Sequence, residues 1–107
     1  VVQDTAAGPM AWLQAGLEFE QLGRLDRAEA EYTRTAKSVP VADFHLARLK
    51  LQQGQADTAL ELLGRAEAAV PAEVRRLVRE EPDAWRALAD DARFQQLTAL
   101  RAATPGR

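Results

Sequence analysis

The sequence predicts an all-α protein of stacked antiparallel helix-turn-helix units, closed by short capping helices. Three observations carry that expectation. Apolar residues recur at helical spacing through most of the chain, as in Leu13 and Leu17 or Ala28, Tyr32 and Ala36. Glycine and proline punctuate it at Gly23, Pro40, Gly54 and Pro71, where helices would stop. Sliding the chain by 31 places then lays it upon itself: Gln21 falls on Gln52, Gly23 on Gly54, Asp26 on Asp57, Ala28 on Ala59, Arg34 on Arg65, Val39 on Val70 and Pro40 on Pro71. The matched positions are the stop, the cap, the small packing residue and the closing proline. A repeat of this length signals stacked helical arrays.

Taken in order, residues 1–8 lack periodicity and read as a flexible lead-in. The first unit spans 9–40. Pro9 suits a first helical position, and Trp12, Leu13, Ala15, Gly16, Leu17, Phe19 and Glu20 make neighbouring stripes up to the stop at Gly23. Asp26 and Glu29 have the spacing of a capping-box variant for the next helix, whose apolar face is Ala28, Tyr32, Ala36 and Val39. The second unit spans 41–71. Phe44, Leu46, Ala47, Leu49 and Leu51 lead to Gly54, Asp57 caps the return helix, and Ala59, Leu62, Leu63, Ala66 and Val70 face inward. Residues 72–103 supply a third first-helix carrying Val74, Leu77 and Val78, cut short at Pro82, and two short caps built on Trp85, Leu88 and Ala89 and on Phe94, Leu97 and Leu100. Asp90 or Asp91 would cap the last of these. Residues 104–107 form a turn-like tail.

Composition narrows the function classes. With 47% apolar and 28% charged residues and a formal net charge of −2, the chain is globular and gives no reason to expect nucleic acid or an anionic membrane as partner. No apolar run approaches the ~18 residues of a membrane span. The opening VVQDTAAGP lacks the basic start and apolar middle of a secretion signal, so a cytoplasmic location is expected, with the periplasm left open. The absence of cysteine removes disulfides, thiol nucleophiles and thiolate metal sites.

Residues 12–40 resemble a tetratricopeptide repeat (TPR). Trp12, Ala15, Gly16, Phe19, Gly23, Ala28, Tyr32 and Pro40 stand at that family's spacing. Residues 41–71 match less fully, through Leu46, Ala47, Gly54, Ala59, Leu63, Ala66 and Pro71, with Lys50 where an aromatic is usual, so that Leu49 or Leu51 must supply the packing. The period of 31 is shorter than the family's usual 34. Residues 82–100 are similar to a segment that often closes bacterial repeat proteins, with Ala92 in place of a second proline. The resemblance implies a fragment of a right-handed α-α superhelix and a non-enzymatic protein-interaction scaffold. Gly16, Ala28, Ala47 and Ala59 are small where such helices approach closely, Trp12, Phe19, Tyr32, Phe44 and Leu63 fill the gaps, and Trp85 and Phe94 close the exposed end.

In that family the first helices of the repeats line a concave groove. The resemblance therefore points to Leu13, Gln14, Leu17 and Gln21, with Met10, from the first unit, and His45, Arg48, Leu51 and Gln52, with Val41 and part of Phe44, from the second. Apolar anchors and amide or guanidinium groups together suit a peptide or helix from a protein partner. The lysine and asparagine of the carboxylate-clamp subfamily are absent at Leu13 and Leu17, so that ligand is rejected. The alternative is a structural or oligomerising segment, its groove face covered by a second copy of the chain. Neither a catalytic set nor a cofactor or metal site emerges. His45 is the lone histidine and lacks a nucleophile neighbour, and capping explains Asp83, Asp90 and Asp91 better than metal binding. Arg75, Arg76 and Arg79 read as a solvated face largely neutralised by Glu73, Glu80 and Glu81.

Overall fold

A computed structural model describes the backbone of residues 2–103 and the side chains of residues 8–97. The chain folds into α1 (Val2–Gln21), α2 (Leu25–Ala36), α3 (Ala42–Gln52), α4 (Ala56–Ala69), α5 (Pro71–Glu80), a 3₁₀ helix (Pro82–Leu88) and α6 (Ala92–Ala103), with no strand among the described residues. α1 packs along α2 and α3 along α4; α2 also meets α3, so the two hairpins share an interface. α4 then meets α5 and α6, and α5 meets the 3₁₀ helix. The expected all-α class and paired helices are present. The tail at 104–107 and the side chain of Leu100 lie outside the described residues.

The repeat is visible in the turns. Gly23 and Gly54 both adopt left-handed backbone, with φ of 79° and 82°. After α1, the Gly23 N–H donates to the Glu20 carbonyl (3.1 Å) and the Arg24 N–H to the Phe19 carbonyl (2.8 Å). After α3, Gly54 donates to Leu51 (3.0 Å) and Gln55 to Lys50 (2.9 Å). These are two copies of the Schellman arrangement, which satisfies the last carbonyls of a helix and needs a residue free to take positive φ. The turn sets where the next helix begins, and this corrects two expectations. Arg24 and Gln55 occupy the N-cap positions without a side-chain cap, leaving Asp26 and Asp57 inside the first turn. There they act through the helix dipole and not as caps. Glu29, the expected reciprocal partner of Asp26, instead accepts from Lys50 Nζ of α3 at 2.8 Å. Asp91 does cap: its Oδ1 accepts the Arg93 backbone N–H at 2.8 Å.

The start of α1 also differs from the sequence reading. Residues 2–7 have helical backbone where an aperiodic lead-in is expected, and Gly8 (φ 76°, ψ −175°) interrupts the helix directly before Pro9. Proline has no N–H to contribute, so it fits the start of the segment after the break.

The core runs without interruption from the first hairpin to the cap. Ala28, Tyr32, Phe44, Ala47, Leu49, Ala59, Leu63 and Ala66 are completely buried, and Val74, Trp85, Leu88 and Phe94 continue the cluster. Leu49, fully buried, takes the packing role left open by Lys50, and Leu51 packs against the core's edge. Trp12 and Phe19 are only half-buried, and Arg34 and Arg27 lie over their rings at 4.3 and 5.7 Å. At the far end Trp85 stacks on Phe94, with centroids 6.1 Å apart, and contacts Phe44 at 5.2 Å, which is the closing role expected of the two aromatics. The Trp85 Nε1–H is buried without an acceptor among the described residues. An unmade bond of this kind costs about 1–3 kcal/mol, less than the 3–5 kcal/mol or so that burying an indole contributes.

Gly16 marks the closest approach of α1 to α2. A Cβ there would stand 2.6 and 2.8 Å from Cε1 and Cδ1 of Tyr32. That ring is fully buried and its hydroxyl is held by Glu20 at 2.6 Å, so it has no room to yield. Helix propensity alone favours Gly16→Ala by about 1 kcal/mol, whereas overpacking costs about 1–3 kcal/mol. The expected result is a lower urea midpoint for Gly16→Ala; a higher midpoint would show that the helices separate freely.

Candidate functional site: a polar cleft across the units

The clearest concentration of polar chemistry lies where α1, α3 and the end of α5 converge. A shallow cleft of about 380 Å³ is lined by Leu17, Glu20 and Gln21 from α1, Arg48 and Gln52 from α3, and Glu81 just after α5. Glu20 and Gln21 stand in the last turn of α1, and Gln52 closes α3 at the position equivalent to Gln21. The repeated glycine turns therefore place these helix ends side by side.

Arg48 organises the cleft from below. Its Nε and Nη2 donate to Oε2 and Oε1 of Glu20 at 2.9 and 2.8 Å, a two-point pair. Nη1 donates to Glu81 at 3.0 Å and Nη2 also to His45 Nδ1 at 3.0 Å. Glu20 additionally accepts from the Tyr32 hydroxyl at 2.6 Å and from Gln52 Nε2 at 2.7 Å. One guanidinium thus joins α1, α3 and the end of α5, and through Glu20 reaches Tyr32 of α2.

The electrostatics follow from this burial. Burial alone would raise the Glu20 carboxyl, but the hydrogen bonds from Arg48 and Tyr32 and the Arg48 charge outweigh it, so the group lies below the ordinary carboxylate range. Burial and the Glu20 carboxylate push the Tyr32 phenol up. Burial opposes the Arg48 charge, yet the Glu20 contacts hold it protonated. His45 is pushed down to about 4, chiefly by burial and then by the Arg48 charge. Arginine has no acceptor, so His45 Nδ1 must accept and the ring hydrogen sits on Nε2.

A pH dependence follows. The folded His45 titrates near 4 and the unfolded one near 6.5. Its contribution is therefore present above pH 6.5 and is lost as pH falls toward 4, amounting to about 3 kcal/mol at 1.36 kcal/mol per unit. Glu20, with its lowered value, adds loss in the same direction at the acid end. Urea unfolding at pH 7 and pH 4 is expected to show this drop, and His45→Gln to flatten the limb between pH 6.5 and 4. An unchanged slope in that variant would mean that other groups carry it.

The eight expected contact residues separate into two groups. Leu17, Gln21, Arg48 and Gln52 share the cleft. Leu13 and His45 are buried, Leu51 is packed against the core, and Gln14 is exposed away from the cleft lining. His45 is the largest correction. Expected at the surface, it is 8% exposed and stacks on Tyr32 at 5.5 Å with its edge contact to Phe44 at 5.3 Å. Arg48, expected to reach a ligand, is 7% exposed and binds within the chain. Phe44 is wholly buried, Val41 packs on the core, and Met10 is 64% exposed. Glu20 and Glu81 are the cleft residues that the groove reading omits. Glu18 and Gln21 stand close to Glu20, and Lys50 two places after Arg48, so nothing in the sequence singles out these two charges as a buried pair.

Further ion pairs lie outside the cleft. Arg76 bridges Glu73 and Glu80 at 3.1 and 3.0 Å, Asp83 binds Arg86, and Arg93 joins Asp91 to Asp57. No group of three histidine, cysteine, aspartate or glutamate side chains that could hold a metal occurs among the described residues. No helix among the described residues is long and apolar enough to cross a membrane.

The fold and cleft define the class: an all-helical protein of two repeated hairpins with an aromatic cap. Compared with known proteins, the chain matches no family model, no curated protein and no solved structure.

Proposed function

We propose that the protein is a non-catalytic, TPR-like interaction scaffold that binds a peptide or helix of a partner protein across its first helices. The observation that carries this reading is the cleft itself, where Leu17, Gln21 and Gln52 project beside one another from successive first helices. Below them the Glu20–Arg48 pair fixes the helices, so the surface is preorganised and little ordering is needed on binding. The lone histidine has a packing role: it is buried, with Tyr32, Phe44 and Arg48 as neighbours. The 31-residue period, the duplicated Schellman turns and the shared hairpin interface support the repeat-protein reading.

The test is affinity capture from cell lysate with mass spectrometry, comparing the wild type with Leu17→Ala, Gln21→Ala and Gln52→Ala combined. Gln21 and Gln52 are exposed and Leu17 is half-buried against the core, so circular dichroism checks that the variant is folded. A partner held by the wild type and lost by the folded variant supports the reading. If both retain the same proteins, or neither retains any, the cleft is not a docking site; a dimer by light scattering would then favour the self-association alternative.

A further inference from the structure

The free hydrogen-bonding groups of the cleft are unequal in kind. Arg48 uses Nε, Nη1 and Nη2 within the chain, and its side chain is only 9% exposed. An incoming anion would find that cation closed off. Glu20 has both oxygens occupied, Oε1 by Arg48 and Tyr32, Oε2 by Arg48 and Gln52. Gln52 donates its amide nitrogen to Glu20, which leaves its carbonyl oxygen as the group to offer. Glu81 differs from Glu20: its side chain is 39% exposed, and Arg48 engages Oε1 alone. Its second oxygen is open to the cleft that Glu81 lines. Two carboxylates against one guanidinium give the lining a formal charge of −1, and His45, neutral at pH 7, does not offset it. Leu17 supplies an apolar wall alongside.

This is the complement of a long cationic side chain, with an aliphatic stem for the leucine and a charged head for the carboxylate. Resting on the scaffold reading, we infer that the cleft receives a lysine or arginine of the partner segment, its stem along Leu17 and its head against Glu81, with the Gln52 and Gln21 side-chain carbonyls as further acceptors. An acidic segment is disfavoured, because it meets Glu81 and finds Arg48 already taken.

The test is an NMR titration of the isotope-labelled full chain with two blocked amphipathic peptides, one of leucine and lysine, the other of leucine and glutamate. The expected result is that only the lysine peptide moves the amide signals of Gln21, Gln52 and Glu81, and that added salt weakens it. Glu81→Gln is expected to weaken binding about fivefold, the scale of a solvent-accessible ion pair. Gln21→Lys, at an exposed position without structural bonds, places a tethered ammonium in the cleft and is expected to weaken it similarly; it serves if Glu81→Gln disturbs the fold. Equal or stronger shifts from the glutamate peptide would overturn the cationic specificity while leaving a cleft that binds peptides. Shifts from the lysine peptide that neither variant reduces would overturn it too. No shifts from either peptide would also overturn it, and the scaffold reading would then rest on the capture experiment alone.

Discussion

Arg48→Met is expected to lower the free energy of unfolding by about 3–5 kcal/mol, the usual loss when one partner is removed from a buried ion pair. A chain of this size has about 5–15 kcal/mol in total, so the variant should sit near its unfolding transition under mild conditions. The magnitude comes from what remains behind. Without the guanidinium, Glu20 keeps a carboxylate that is 12% exposed, with only Tyr32 and Gln52 as donors. Glu81 loses its tie to α3, and His45 loses the donor on Nδ1. Replacing both members should be milder. Glu20→Leu with Arg48→Met removes the charge and its counter-charge together, so the double variant is expected to be more stable than the sum of the two singles. Urea unfolding of the four proteins in the cycle measures this. A loss below about 1 kcal/mol for Arg48→Met would place the pair with ordinary surface salt bridges.

The same pair shows why the fold is more legible in the sequence than the site. The 31-residue offset works because glycine at the helix end and proline between helices are local demands of backbone geometry, and the residues meeting them stand at matching positions. Gly23 and Gly54 satisfy identical turns, with hydrogen bonds that correspond one for one. The aspartates miss the cap for an equally local reason. A Schellman turn delivers the chain into the next helix within two residues, so Leu25 and Ala56 are already helical and Asp26 and Asp57 stand two positions past the N-cap. Side-chain direction in the cleft is a different matter, because it depends on which residue of another helix lies opposite. Assigning α3 residues to an inner face put His45 and Arg48 at a ligand surface. The actual neighbours were Glu20, 28 positions from Arg48, and Tyr32 on the intervening helix. No spacing rule within one helix contains that information. Gln21 and Gln52 both line the cleft because each ends its helix beside the glycine turn, where the backbone itself fixes the position.

Phe44→Ala is expected to cost about 3–5 kcal/mol, the range for truncating a buried phenylalanine, and to act unevenly along the chain. Phe44 is fully buried and touches His45 on one side and Trp85 on the other, at 5.3 and 5.2 Å between ring centroids. Trp85 in turn stacks on Phe94 of α6. The ring therefore links the second hairpin to the short helices after Pro82. Those helices also meet α4 and α5, but one is a 3₁₀ segment of 7 residues, too short to be stable alone. On truncation, amides in 83–97 should lose hydrogen-exchange protection before those of α1 and α2, whose closest approach is at Gly16 and Tyr32. Tryptophan emission should shift to the red as Trp85 gains solvent, a signal best isolated in a Trp12→Phe background because Trp12 is already half-exposed. If protection instead falls by the same factor in every helix, the cap and the hairpins unfold as one cooperative unit, and the aromatic chain from His45 through Phe44 and Trp85 to Phe94 is the core's continuous spine and not a hinge between parts. If the loss is below about 1 kcal/mol, the surrounding core side chains must close over the vacated space, and Trp85 owes its position to α5 and α6 alone.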